Sequence, residues 1–188
     1  MNLFYQIPSA LRDRLGDWRF MSKAVFLTGV ERTFPDDDII VSKTDLKGRI
    51  TYANQVFLQI AGYTEKEVFG QPHSIIRHPA MPRCVFKLLW DTIASGTEIF
   101  AYVINRAKNG DHYWVYAHVT PSFDADGRII GYHSNRRVPD RHIIDEHIVP
   151  LYRTLIEEEA RHASRKDGMF AAIELVQSFI SQKGLAYD

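Results

Sequence analysis

The chain has 188 residues, 45% hydrophobic and 24% charged, so one globular domain with attached pieces is the default. Its 23 basic residues balance 23 acidic ones, which argues against a nucleic-acid surface. A single cysteine, Cys84, excludes an internal disulfide and any CxxC metal site, and no apolar run nears the roughly 20 residues that cross a bilayer.

Residues 1 to about 35 form an extension in which Leu3, Ile7, Leu11, Leu15 and Trp18 fall at helical spacing, with Pro8 starting or kinking any such helix. Arg12, Asp13 and Arg14 break its apolar residues, so it is no secretory signal, and a soluble, cytoplasmic protein is expected. The acidic run Asp36-Asp37-Asp38 marks a boundary. Then DIIVSKTDLKGRITYAN reads as a hairpin, two short strand runs around Asp45-Leu46-Lys47-Gly48. From Asn54 to Gly96 the pattern is helical and broken, with stops at Gly62, Gly70, Pro72 and Pro79. Its longest segment, MPRCVFKLLWDTIASG, starts at a proline and stops at glycine. Three more strands follow, EIFAYVINRA, DHYWVYAHVTPSF and GRIIGYHSNRRV, linked by hairpin turns at Lys108-Asn109-Gly110 and Asp124-Ala125-Asp126-Gly127. Beyond Asp140 the chain is helical again, with Ile144, Ile148, Leu151 and Leu155 on one stripe interrupted at Pro150. A second amphipathic helix, carrying Met169, Ile173, Val176 and Ile180, is expected after Lys166-Asp167-Gly168.

Two strands, small helices and a three-stranded meander form the order of a PAS domain. GYTEKEVFGQPHSIIRHPAMP, followed by NRAKNGDHYWV, resembles the sensory domain of aerotaxis receptors, the Aer class, over about residues 36 to 140. The resemblance implies an α+β PAS fold, a five-stranded antiparallel sheet with short helices on one face. It divides the chain into the extension 1–35, the PAS sensory domain 36–140 and a C-terminal helical segment 141–188. It implies non-covalent FAD, and a redox or oxygen sensor that relays cofactor state to a separate membrane chemotaxis transducer in aerotaxis or energy taxis. The alternative is a cofactor-free PAS adaptor or dimerisation module.

Residue by residue, the resemblance assigns cofactor contacts to Asn54, Arg77, His78, Trp90, Asn105 and His133. Arg77 and His78 match the arginine-histidine pair needed for flavin retention, with Ala80 where the class has aspartate. A guanidinium fork suits a pyrophosphate or an electron-rich flavin edge, and the flanking prolines restrict the loop. Otherwise Arg77 bonds helix carbonyls and His78 braces the turn. Asn54 is either a flavin contact or the N-cap of the helix QVFLQIAGY, with equal weight. Trp90 on an amphipathic helix is more often a core residue. Asn105 matches the flavin-binding asparagine before the Lys-x-Gly turn, which sends Ile99, Ala101 and Val103 inward with it. Val115 replaces a second asparagine of the photosensory LOV relatives, and Ile99 replaces a tryptophan of the class. His133 aligns with the LOV glutamine beside flavin N5, where it would couple proton to electron transfer. His73 stands where LOV domains carry their adduct-forming cysteine, so light-driven adduct chemistry is not expected.

Other chemistries find little support. The histidine pairs His73/His78 and His142/His147 are spaced five apart, unlike HExxH, and the long helix has no histidine of the kind that haem-binding PAS domains use. No metal site is expected. Nucleophile elbow and phosphate loop are both missing, so the chain does not read as an enzyme. With His133 inward, alternation puts Phe100, Tyr102, Ile104, Trp114, Tyr116, Ile130 and Tyr132 on the outer face, a patch that must be covered. A flanking helix over part of it and a partner over the rest, either a second copy or the transducer, are expected.

Overall fold

A computed structural model describes residues 26–182. The helical spacing from Leu3 to Trp18 falls outside them. The core is a five-stranded antiparallel sheet of β1 (Ile40–Thr44), β2 (Ile50–Ala53), β3 (Ile99–Arg106), β4 (His112–Phe123) and β5 (Ile129–Arg137), in the order β2-β1-β5-β4-β3. Between the second and third strands run α1 (Gln55–Ala61), α2 (Glu65–Val68), a 3-10 turn (His73–Ile76) and α3 (Arg83–Ala94). These elements match the expected α+β architecture.

The β1–β2 turn forms because the Asp45 carboxylate accepts hydrogen bonds from the Lys47 and Arg49 N–H groups, while Gly48 takes the left-handed conformation at φ 71°. A Cβ on Gly48 would lie 2.9 Å from the Trp90 indole, so the turn seats that ring on the inner face of the sheet. The main cluster joins Ile40, Ile50 and Phe57 to Ile76, Cys84, Leu89 and Ile93 of the helical layer.

The C-terminal region wraps this core. After a turn of helix at Arg141–Ile143 and a π-helical turn at Ile144–Ile148 come α4 (Val149–Arg161) and α5 (Arg165–Gln182). The interruption expected at Pro150 is thus the π turn just before it, with proline in the first turn of α4, where a missing N–H costs nothing. The helix break expected at Lys166-Asp167-Gly168 falls earlier, between Arg161 and Arg165. Gly168 lies within α5 because the helices nearly touch there: a Cβ would sit 2.3 Å from the Glu159 carbonyl oxygen. Tyr152 of α4 donates to the Tyr102 carbonyl on the β3 edge at 2.5 Å and packs against Trp114, ring centroids 6.1 Å apart.

One of the chain's own helices therefore covers part of the outer sheet face, as expected. Ile104 and Trp114 are buried, whereas Phe100 stays 51% exposed and stacks on His118 at 4.2 Å. Tyr132, expected on that face, lies on the inner one, edge-on to Trp90 at 5.4 Å.

Candidate functional site

A cleft of about 500 Å³ opens between the inner face of the sheet and the helical layer, within the usual range for a small-molecule site. Apolar walls come from Ile76, Leu89, Ile93, Val103 and Val119, aromatic ones from Phe86, Trp90 and Tyr132. Strand alternation sets the floor. Ile99, Val103 and Asn105 of β3 face Val119, Val115 and Tyr113 of β4, while Ala117 and Val119 face Arg136 and Ser134 of β5. Asn105, Ser134 and Arg136 consequently share the inner face with Ser42 and Thr44 of β1.

The charge of the lining is one-sided. Lys47, Arg77, Arg83, Lys87 and Arg136 border the cleft, and among the described residues no carboxylate does, in a chain whose formal charge is zero. Lys87 is occupied by Asp91 on its own helix. Arg77 lies 4.4 Å over the Phe86 ring, and its guanidinium makes no hydrogen bond among the described residues. Burial and the nearby Arg83 charge lower its pKa, with Glu159 opposing them.

Four side-chain atoms of the cleft are buried without a hydrogen-bond partner among the described residues: Asn105 Nδ2, Thr44 Oγ1, Ser134 Oγ and Arg136 Nη1. Buried polar groups are nearly always paired with protein, water or a ligand, so these four atoms are free to bond a polar group that enters the slot. Residues 50–136 match the family model of the PAS fold.

The segment is a PAS domain. The chain is 43% identical over 136 residues to the aerotaxis receptor of Escherichia coli K12, covering 72% of this chain. It is 27% identical over 137 residues to the nitrogen fixation regulatory protein of Klebsiella pneumoniae, covering 73% of this chain. It spans only 26% of the length of either relative. Among solved structures, the dark state of the blue-light photoreceptor Aureochrome1 LOV superposes with a TM-score of 0.51 at 21% identity, over 65% of this chain and 86% of that one. That likeness concerns the fold. Among the described residues, no helix is long and apolar enough to cross a membrane and no cluster suits a metal ion.

The PAS domain brings Arg77, Trp90 and Asn105 together at the cleft with His133 at its border, and it employs Asn54 and His78 elsewhere. Asn54 is the N-cap of α1: Oδ1 accepts from Phe57 N–H and Val41 N–H, and Nδ2 donates to the Ile39 carbonyl. Asn54→Ala should therefore cost about 1–2 kcal/mol of stability, read by urea unfolding, and leave ligand affinity unchanged. Weakened ligand binding at unchanged stability would overturn the capping role. His78 braces the loop, its Nδ1 accepting from Ala80 N–H at 3.1 Å while its ring tilts against His112.

His133, expected to face inward, does not share the inner face of the sheet. It pairs across β1 with Lys43 and bonds Asn135 at 2.9 Å, on the face opposite Ser134 and Arg136. It borders the cleft without sharing that inner face. Sequence reasoning missed Ser42, Ser134, Arg136 and Met169, the last reaching the cleft from α5. Counting alternation from Arg136, the first arginine of the NRRV stretch, would have found the β5 pair.

Burial, helped by His112 and Arg106, lowers the His78 pKa to about 4, and burial with the Arg136 charge lowers that of His73 to about 3. Both values lie below the unfolded pKa of about 6.5, so below that pH the unfolded chain binds more protons. Their contribution is intact above about pH 6.5 and drains as pH falls from there towards 4 and 3. Urea midpoints should accordingly drop from pH 7 to pH 5; equal midpoints would contradict neutral burial of the pair.

Proposed function

We propose that this PAS domain binds a flavin nucleotide, FAD, without a covalent bond, and serves as a redox or oxygen sensor in aerotaxis or energy taxis. The observation that carries the reading is the carboxylate-free, cation-bordered cleft with unpaired Asn105 and Arg136 donors at its walls. A flavin nucleotide combines a flat heteroaromatic ring with phosphates, and the lining divides in the same way. Trp90, Tyr132 and the apolar strand residues would flank the ring, Asn105 would bond its polar edge, and Arg77 with Arg83 would hold the phosphates. When bound, the flavin supplies a redox couple that answers to the electron supply of the cell. The protein's part is to exclude water, orient the ring and report its state.

The route out would run through the C-terminal helices to a separate membrane chemotaxis transducer. Glu159 of α4 accepts the Cys84 N–H at 2.8 Å and so caps α3, the helix that walls the cleft, while Met169 of α5 touches the cleft itself. Burial, with Glu159, pushes the Cys84 thiol up to about 12, leaving it a packing group. Phe100, exposed and stacked on the half-buried Tyr116 and His118, would offer the partner a landing surface.

Visible absorption of the purified protein, followed by release and identification of the chromophore, tests the binding. A flavin spectrum with FAD released is expected. A colourless protein that takes up no added FAD would leave the cofactor-free adaptor in its place.

A further inference from the structure

Arg136 is 4% exposed, yet its hydrogen-bond partners among the described residues are all neutral. Its Nη2 donates to Ser42 Oγ at 2.9 Å and to His73 Nε2 at 2.7 Å, and its guanidinium carbon lies 5.8 Å from the Phe57 ring centroid. The bond from arginine makes His73 Nε2 the lone-pair nitrogen, which puts the proton of the neutral ring on Nδ1. A second nitrogen, Nη1, is buried with no hydrogen-bond partner among the described residues, and so is Asn105 Nδ2 in the same cleft. Buried charges are normally paired with an opposite charge, because desolvation without one is expensive. Among the described residues, the cleft is lined by no carboxylate that would fill that role.

We propose that Arg136 is a ligand-binding residue, supplying the countercharge for an occupant whose buried edge carries carbonyl oxygens or a negative charge. Guanidinium and amide N–H groups are donors, so the edge they meet must accept. If the occupant is the flavin proposed above, on which this part of the inference rests, Arg136 also sets its potential. Two electrons and one proton convert the neutral oxidised ring into the anionic reduced ring, and a fixed cation favours the second form.

Two measurements test this, and they separate the inference from the flavin reading. The first is urea unfolding of the full chain stripped of ligand, comparing wild type with Arg136→Met. A cation kept for an absent anion weakens the empty protein, so the variant should be at least as stable as wild type. A marked loss of stability, or failure to fold, would make Arg136 a brace between Phe57, Ser42 and His73 and overturn the proposal. This measurement stands even if the protein binds no flavin.

The second is reductive titration of the flavin-loaded protein with dithionite against an indicator dye. Arg136→Met should lose at least tenfold in its preference for reduced over oxidised flavin, a fall of about 30 mV in midpoint potential. Arg136→Lys, which keeps the charge, should retain most of the wild-type value. A potential unchanged in Arg136→Met would overturn the potential-setting role.

Discussion

Arg77→Ala is expected to weaken flavin retention by roughly ten- to a hundredfold while the domain stays folded. A charge-assisted hydrogen bond to an ionised group is worth about 1.5–3 kcal/mol, and about 1.4 kcal/mol corresponds to a decade in affinity. The structure makes the side chain available for that bond. Arg77 is held by its stack on Phe86 and by a backbone bridge to Asn105, with no hydrogen bond from the guanidinium to the described residues. Truncation removes the head group and leaves the backbone bridge. Arg77→Lys should fall between the two, because it keeps the charge and loses the planar fork. Flavin dissociation constants, with circular dichroism as a check on folding, decide the matter; undiminished occupancy in a folded Arg77→Ala protein would remove Arg77 from the site.

Gly131→Ala should cost about 3 kcal/mol of stability, the upper end for forcing one methyl group into a packed interior. A Cβ at Gly131 would lie 2.4 Å from the Thr44 carbonyl oxygen, which belongs to backbone and has no rotamer to escape through. The clash falls where β5 runs beside the end of β1, so the floor of the cleft separates with it. For a protein of this size the loss corresponds to a fall of about 6–12 °C in Tm. Gly168→Ala meets an equally close carbonyl, that of Glu159, between α4 and α5. Its effect should be local: α5 loosens, as hydrogen exchange would register, while the sheet unfolds near its original temperature. A Tm for Gly131→Ala within a degree or two of wild type would contradict the rigid β1–β5 contact.

The strands and their order were legible because each is bracketed by turn residues with a mechanism, such as Asp45 bonding two N–H groups of its own turn. Which face each strand residue takes was legible for β3 and β4 and failed for β5. Alternation carries a reading from one anchor along a whole strand, so an anchor one residue off inverts every position. The anchor was His133, and the β4–β5 register shifts between Ser122 and Phe123. That inversion placed Tyr132 outside and hid Arg136. Asn54 stood between two roles that sequence weighs alike, since an asparagine before a helix serves a cap and a ligand with the same amide. Gly168 read as a stop because glycine usually ends helices; the need for it comes from Glu159, nine positions away and on another helix.

Both borders of the sheet are blunted by the chain's own backbone and side chains. Along β2, Ile50 exchanges hydrogen bonds with Gln71 and Gly70, and Arg49 bridges Pro72. Along β3, Tyr152 takes the Tyr102 carbonyl and Arg77 bridges Asn105. Free strand borders are the templates on which foreign strands add and on which aggregates seed. With these contacts at both borders, strand addition there is disfavoured as a way for a partner to recognise this protein. A partner would then be recognised by side chains on the faces and helices, where single substitutions can retune the choice of partner without touching the sheet.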